Sequence, residues 1–240
     1  MKLIVLASGI GSRLEDLTHN NPKCLVKIND KRIIDYMYEL STFFEETIII
    51  GGYKYELLND VLYNSKIILN KEYLKTNMVH SLFKSIDYVE DDFIAVYADI
   101  IFDNKIVTNL ISKKNTILPL KINWLEYWMQ RMNINDIKKD AENLLVNKNK
   151  IIEIGTKIKD KMPNYQYMGI LKFNYIDFLK LDVFYKKIKN QRIDMTSFLN
   201  LAIHNQVIDI FYQSTNDFWL EIDNKTDLNL AKKILRQKVK

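Results

Sequence analysis

Residues 2–13 read KLIVLASGIGSR, an apolar run that passes directly into a loop with two glycines. Lys2 to Ala7 has the continuous apolar character of a strand that is covered on both faces of a parallel sheet. In the loop, Gly9 and Gly11 lack a Cβ, so backbone N–H groups are able to surround an anion at close range. This stretch therefore predicts an α/β fold with an anion-binding loop at the end of its first strand.

The alternation of strand and helix patterns continues along the first half of the chain. Further strands are predicted at Glu46 to Ile50, Lys66 to Asn70, Phe93 to Ala98 and Thr116 to Ile122, with helices at Arg32 to Phe44, Lys54 to Leu62, Asn77 to Ile86 and Asn104 to Ser112. This order predicts a Rossmann-like, doubly wound and mostly parallel sheet with helices on both faces. The aromatic-rich second half predicts a small elaboration of that sheet, so we expect one domain over residues 1–240.

Composition limits the classes of function. The chain has 240 residues, 48% of them hydrophobic and 27% charged, which is typical of a soluble globular domain. Its net charge of +5 is mild and dispersed, which argues against a nucleic-acid partner. No stretch approaches the ~20 apolar residues of a membrane span. The single cysteine excludes an internal disulfide and agrees with a reducing cytoplasm, where we expect the protein to reside.

Two basic residues accompany the glycine loop. Arg13 closes it, and Lys23 follows Pro22 ten residues later. An arginine is able to grip a phosphate with two donors, and a lysine to act as a mobile positive charge. No Gly-Lys-Ser/Thr follows, so the loop is not a Walker loop, and the third glycine of a dinucleotide fingerprint is missing. Without the Pro-Lys pair, an ordinary strand-to-helix turn would remain the better interpretation of the loop.

The stretch LASGIGSRLEDLTHNNPKCLVKI resembles the signature of the sugar-nucleotide and cytidylyl transferase family. The resemblance implies that residues 7–13 wrap a nucleoside triphosphate and that Lys23 contacts its α-phosphate, with Lys23 and Arg13 as catalytic residues. Residues 1–122 would then be the nucleotide-binding half and residues 123–240 the acceptor-side half. The implied nucleotide-binding residues of the loop are Leu6, Ala7, Ser8, Gly9, Gly11 and Ser12.

Two aspartates are candidate metal ligands. Asp99 ends the buried strand FIAVYAD, and Asp223 lies in WLEIDN. Ligand sites of open α/β sheets lie at such strand ends, and carboxylate oxygens suit Mg²⁺. Either aspartate alone would more simply be a loop or helix-cap residue, but the resembling family binds its metal through aspartates in these two contexts. Asp103, four residues after Asp99, is a spare candidate.

The segment YLKTNMVHSL at residues 73–82 resembles the Thr-Asn-x-x-x-Ser-Leu segment of the family's cytidylyltransferases. In those relatives it lies near the base and the acceptor, so Asn77 and Ser81 are nucleotide-binding candidates. Their spacing of four places them on one helix face. A simple cap or surface role remains the alternative for both. His80, in the same motif, receives no catalytic role.

The acceptor is expected to meet an aromatic and basic group in the second half. Arg131 would bind its phosphate, and aromatic faces would bind a cationic or amide-bearing group. Ordinary core aromatics at helical spacing are the alternative. Lys157 stands in for the lysine of the Glu-Lys-Pro motif that hexose-phosphate enzymes of the family carry, and the proline is absent here. The predicted acceptor-binding residues are Trp124, Trp128, Arg131, Lys157, Gly169, Trp219 and Glu221.

These observations predict a Mg²⁺-dependent cytidylyltransferase that transfers CMP from CTP to a small phosphorylated acceptor and releases pyrophosphate. Acceptors in the resembling group include L-glutamine phosphate and phosphocholine, whose CDP-activated products feed decoration of bacterial surface polysaccharides. We favour L-glutamine phosphate slightly, because the sequence shows no convincing choline cage with enough acidic groups. One alternative is a hexose-1-phosphate nucleotidyltransferase that makes a UDP- or dTDP-sugar, and another is a non-catalytic nucleotide-binding module. Whether the chain forms a homodimer is left open.

Overall fold

The computed structural model describes residues 1–158 and 161–238. Fourteen strands are found in this part of the chain: β1 Lys2–Ala7, β2 Lys27–Ile28, β3 Lys31–Arg32, β4 Thr47–Gly51, β5 Ser65–Leu69, β6 Phe93–Tyr97, β7 Ile100–Phe102, β8 Ile117–Lys121, β9 Glu142–Asn147, β10 Lys150–Lys157, β11 Gln166–Tyr167, β12 Ile170–Phe173, β13 Phe211–Thr215 and β14 Trp219–Glu221. The α-helices are α1 Tyr38–Ser41, α2 Met78–Phe83, α3 Lys105–Thr108, α4 Trp124–Arg131, α5 Ile134–Asp140, α6 Tyr175–Tyr185, α7 Met195–His204 and α8 Lys225–Lys238. None of these helices is long and apolar enough to cross a membrane.

Ten of the strands form one sheet with the order β5-β4-β1-β6-β12-β8-β13-β10-β9, and β11 pairs with β8. β1, β4, β5 and β6 are parallel to one another, and β8 is parallel to β13. β12 is antiparallel to both of its neighbours, and β10 is antiparallel to β9 and β13. The predicted fold class, a doubly wound and mostly parallel sheet with helices, is confirmed.

β1 owes its position in the interior of the sheet to its apolar sequence. Leu3, Ile4 and Val5 are 0% exposed, and every residue of β4 and β6 is also buried. The chain continues from β1 to β4 and β5 on one side and to β6 on the other, so the direction of winding reverses between β1 and β6. Ligands of such sheets bind beyond the carboxyl ends of the strands that flank this reversal.

Several predicted helices are shorter in the structure. The predicted helix Lys54 to Leu62 was wrong, since only Tyr55–Leu58 forms a 3₁₀ turn. Lys54 and Asp60 have left-handed backbone, with φ of 47° and 55°, and this geometry interrupts a right-handed helix at both ends. Similarly, Arg32 to Phe44 is divided into a 3₁₀ turn and the short α1. The prediction for Asn104 to Ser112 holds only over α3.

A small second sheet joins distant parts of the chain. β14 pairs antiparallel with β7, so that Glu221 lies opposite Ile100, and the N–H of Ile222 donates to the carbonyl of Asp99 at 3.0 Å. This pairing brings Asp99, at the end of β6, next to Asp223, just after β14. The two predicted metal ligands are therefore neighbours because of strand pairing across more than a hundred residues of sequence.

Candidate active site

A cavity of about 290 Å³ lies beyond the carboxyl ends of β1 and β6. Its position is the reversal point of the sheet, where the topology places ligands. Apart from the spare candidate Asp103, all the residues named as binding the nucleotide or the metal lie in its wall, together with seven others. The lining residues are Leu6, Ala7, Ser8, Gly9, Gly11, Ser12, Arg13, Lys23, Cys24, Asn70, Tyr73, Thr76, Asn77, Met78, Ser81, Tyr97, Ala98, Asp99 and Asp223.

The glycine loop owes its shape partly to the residue it packs against. Gly11 has a φ of +72°, and a Cβ added there would lie 2.7 Å from the Cβ of Lys23. Its carbonyl accepts from the N–H of Leu14 at 2.9 Å and from the hydroxyl of Thr18 at 3.1 Å. A Cβ at Gly9, in contrast, would meet nothing within 4 Å. Gly11 is thus required for the turn and for the approach of Lys23, whereas Gly9 leaves open space toward the cavity.

Lys23 joins the two aspartates. Its Nζ donates to Oδ2 of Asp99 at 2.7 Å and to Oδ1 of Asp223 at 3.0 Å. Burial disfavours the charge of Lys23, but the two carboxylates outweigh burial and raise the pKa of the ammonium above its usual value. Burial likewise opposes the charge of Asp223, while Lys23 and Arg13 lower the pKa of its carboxyl. Lys23 and Asp223 are therefore both charged at neutral pH.

One oxygen at this centre has no partner. Oδ1 of Asp99 is buried and makes no hydrogen bond to any described residue. A buried acceptor without a donor costs about 1–3 kcal/mol, so such an atom is suited to a ligand. Within residues 1–158 and 161–238 no group of three or more His, Cys, Asp or Glu side chains is arranged to hold a metal. A cation bound by Asp99 and Asp223 would therefore take its remaining ligands from the substrate and water.

Part of the cavity wall is formed by buried polar groups that are linked by hydrogen bonds. The hydroxyl of Ser8 donates to the carbonyl of Ile50 at 2.9 Å and accepts from Ser81 at 3.1 Å. Asn70 Nδ2 in turn donates to Ser81 at 3.1 Å. Asn77 caps α2, because its side chain accepts from the N–H of Met78 at 2.8 Å. These bonds give the polar wall around Ser8 and Ser81 a defined shape.

Most of the predicted acceptor residues lie away from this cavity. Trp124 and Trp128 are 2% and 3% exposed and form a small core with Ile137 and Ala141, and the Trp124 indole donates to the carbonyl of Pro163. This placement agrees with the alternative interpretation of the aromatic residues, in which they are ordinary core residues. An apolar helix face becomes buried whether it packs on the protein or on a ligand. The aromatic pattern alone therefore did not distinguish a core from an acceptor pocket.

Three other predicted acceptor residues also lie outside the wall of this cavity. Gly169 has a φ of +73°, and a Cβ there would lie 2.8 Å from the ring of Tyr97, so this glycine accommodates a side chain of the protein. The Trp219 indole donates to the carbonyl of Met168 at 3.0 Å and is 3% exposed. Lys157 is exposed at the end of β10 and does not line the cavity.

Arg131 and Glu221 lie close to Asp223 but outside the wall of the nucleotide cavity. Arg131 contacts Asp227 and Glu221 and lies 3.4 Å from Asp223, so its guanidinium is occupied by carboxylates of the protein. It lines a second cavity of about 380 Å³ that shares Arg13 and Asp223 with the first. Asp103, the spare metal candidate, instead accepts from the N–H of Phe218 and lies beside a different cavity.

Replacing Glu221 with glutamine is expected to remove part of the pH dependence of stability. Burial, and then the charge of Asp223, raise the pKa of Glu221 from 4.5 to about 8 in the folded chain. The folded state thus keeps a proton that the unfolded state has released. Stability from this group is complete below about pH 4.5 and is lost as the pH rises to about 8.

The melting temperature of Glu221→Gln should therefore exceed that of the wild type by a margin that grows between about pH 5 and pH 8 and then levels off. Thermal melts in metal-free buffer measure this margin. A margin that is constant over that range would show that Glu221 titrates normally.

Several residues of the cavity wall were missed by sequence reasoning. Asn70 directly follows β5, so the strand-end argument that identified Asp99 applies to it as well. Tyr73, Thr76 and Met78 fall inside the segment that was singled out for Asn77 and Ser81. Tyr97, Ala98 and Cys24 are neighbours in sequence of Asp99 and Lys23, and only the cavity itself shows that they line it.

Comparison with known proteins identifies the family of this chain. The nucleotidyl transferase family pattern matches residues 2–238. The CTP:phosphoglutamine cytidylyltransferase of Campylobacter jejuni is 34% identical over 96% of this chain and 98% of its own. Among solved structures, the inositol-1-phosphate CTP transferase of T. maritima aligns with a TM-score of 0.76 at 23% identity, over 97% of this chain and 95% of that one.

A second solved structure has the same fold. It is the CTP:phosphocholine cytidylyltransferase of Streptococcus pneumoniae, which aligns with a TM-score of 0.74 at 22% identity over 98% of both chains. The glycine loop, the lysine and the paired aspartates thus occur in a chain whose whole length matches one family of enzymes. The chain belongs to the nucleotidyl transferase family and is a nucleotidyltransferase.

Proposed function

We propose that the chain transfers CMP from CTP to L-glutamine phosphate or, with less support, to phosphocholine, and releases pyrophosphate. The observation that carries this proposal is the convergence of the glycine loop, Lys23, Asp99 and Asp223 on one cavity. The choice of CTP rests on the similarity to the Campylobacter jejuni enzyme over nearly the whole of both chains. We further propose that the CDP-activated product serves the decoration of bacterial surface polysaccharides, and that the reaction is cytoplasmic, where CTP is made.

The protein's part in catalysis is to position and neutralise anions. The loop of residues 8–13 would surround the triphosphate with backbone N–H groups, and the Arg13 side chain, which is 65% exposed, has the freedom to reach its outer phosphates. The acceptor phosphate is already an anion, so its oxygen attacks the α-phosphorus without a general base. The barrier arises from the approach of two anions and is lowered by fixed positive charge.

Asp99 and Asp223 are the residues that would hold Mg²⁺. Their oxygens are hard ligands on one wall of the cavity, and Oδ1 of Asp99 lacks a donor. Bound Mg²⁺ supplies neutralisation of the triphosphate charge and orientation of the leaving pyrophosphate. Lys23 lies in the same cavity wall, and its ammonium would supply positive charge to the α-phosphate.

The second cavity is our proposed acceptor site. It adjoins the first through Arg13 and Asp223, and its wall carries acidic and basic side chains together, with Asp136, Asp140 and Lys139 beyond the shared residues. An amino-acid phosphate has both an ammonium and a carboxylate to pair with such a wall, whereas phosphocholine has only a cation. Residues 1–122 then supply most of the nucleotide site, and residues 123–240 supply Asp223 and the acceptor side.

A screen of the four nucleoside triphosphates against L-glutamine phosphate, phosphocholine and hexose 1-phosphates tests this function through pyrophosphate release. We expect turnover with CTP and L-glutamine phosphate to exceed every other combination by at least about 10²-fold, since a site that hydrogen-bonds one base leaves polar groups unpaired with another. Activity with UTP or dTTP and a hexose 1-phosphate, with none from CTP, would establish the sugar-nucleotide alternative instead.

A further inference from the structure

The guanidinium of Arg131, in the last turn of α4, is enclosed by acidic side chains. Its side chain is 1% exposed. Nε and Nη2 each donate to Asp227 at 2.9 Å, in a two-pronged pair, and Nη1 donates to Glu221 at 3.0 Å. Nη2 also lies 3.4 Å from Oδ2 of Asp223. All three guanidinium nitrogens of Arg131 are therefore engaged by acidic side chains of the protein.

Asp227 holds the main chain of Asp223 as well. Its side chain is 0% exposed, and Oδ2 accepts from the N–H of Asp223 at 2.9 Å. Asn224, between them, accepts from the N–H of Asp227 at 3.0 Å at the start of α8. The backbone and the carboxylate of Asp223 are thus both tied to the same buried pair of Arg131 and Asp227.

The two oxygens of Asp223 have different surroundings. Oδ2 faces Arg131, whereas Oδ1 lies 2.9 Å from Arg13 and 3.0 Å from Lys23, on the side of the nucleotide cavity. We propose that Arg131, held in place by Asp227, is a positioning residue that sets the orientation of the Asp223 carboxylate so that Oδ1 is presented to the metal and the triphosphate. This inference rests on the proposed function, which assigns the metal to Asp223.

The physical reason is preorganisation. A free aspartate side chain samples several rotamers, and a ligand that must be ordered on binding loses affinity. A planar guanidinium with two donors on Asp227 has a fixed direction, which an ammonium on a flexible stem does not have. Arg131→Lys keeps the charge and loses this direction, so it separates orientation from simple neutralisation.

The experiment is Mn²⁺ binding measured by electron paramagnetic resonance in the presence of CTP and without acceptor. Arg131→Lys is expected to raise the Mn²⁺ dissociation constant about 10-fold and to broaden the signal of the bound ion. The double variant Arg131→Met, Asp227→Asn replaces the pair by neutral groups of similar shape and should weaken binding at least as much. At saturating Mn²⁺, KM for CTP should change much less than the metal affinity.

Arg32→Lys is the matched control, because Arg32 also makes a two-pronged pair, with Asp35, outside the cavity. It should bind Mn²⁺ like the wild type. If Asp223→Ala abolishes Mn²⁺ binding while Arg131→Lys and the double variant both retain the wild-type affinity, the positioning role is wrong and the proposed function stands. If Asp223→Ala itself binds Mn²⁺ normally, the metal assignment fails, and the positioning role fails with it.

Discussion

Asp99→Ala is expected to reduce kcat by about 10³-fold or more while leaving the metal-free protein at least as stable as the wild type. A metal-bridged carboxylate contributes several kcal/mol to the transition state, and about 4 kcal/mol corresponds to this factor. The stability follows from the surroundings of Asp99. Oδ1 of Asp99 is buried and lacks a donor, so the substitution removes an unsatisfied acceptor. Lys23, the partner of the other oxygen, keeps its contact with Asp223. A site built for a ligand is commonly strained without it.

Steady-state pyrophosphate release and thermal melts without metal measure the two effects. Asp103→Ala is the matched control, since Asp103 lies on the same segment, outside the nucleotide cavity, and should retain near wild-type kcat. A drop in melting temperature of several degrees in Asp99→Ala, together with wild-type kcat, would assign a structural role to Asp99 and remove it from the active site.

Lys23→Met is expected to lower kcat by about 10²–10³-fold, the usual loss when one preorganised donor to a developing charge is removed. It has a second consequence that Asp99→Ala lacks. Lys23 is only 14% exposed and is the shared counter-ion of Asp99 and Asp223, so its loss leaves two close carboxylates facing each other. We expect the metal-free variant to lose about 2 kcal/mol of stability.

Mg²⁺ should restore that stability, because the cation binds the folded state and no longer competes with an ammonium. The increase in melting temperature on adding Mg²⁺ should therefore be larger in Lys23→Met than in the wild type. Lys172→Met is the control, since Lys172 is also a buried lysine paired with an aspartate, Asp92, at the far end of β6. It should lose stability without gaining a response to Mg²⁺ and with kcat unchanged. Equal Mg²⁺ responses of Lys23→Met and the wild type would contradict the shared role.

Much of the nucleotide side was predictable from local sequence. β1 and β6 are apolar runs that end at Ser8 and at Asp99, and the ends of parallel strands meet at one edge of a sheet. Apart from the spare candidate Asp103, every residue named for the nucleotide or the metal lies in the wall of one cavity. Their roles there remain proposals, and the experiments above test them.

The acceptor side was not predictable in the same way. Trp124 and Trp128 have the spacing of a helix face, and the same spacing describes a face that packs on the protein and a face that packs on a ligand. Arg131 has the right chemistry for a phosphate. Its partner Asp227 lies 96 residues further along the chain, and nothing in the local pattern announces that pairing.

The sequence by itself determined the parallel strands of the first half, the glycine loop and the residues that end the central strands, because these depend on short-range patterns and on a general rule of sheet topology. Only the tertiary structure decided which charged groups face the cavity and which form ion pairs with one another. Arg131 pairs with Asp227 because α4 packs against α8. Lys23 bridges Asp99 and Asp223 because strand pairing between β7 and β14 brings the two aspartates together. Which of these charged groups pair with each other depends on their distances in the folded chain, and those distances cannot be read from the spacing of residues in the sequence.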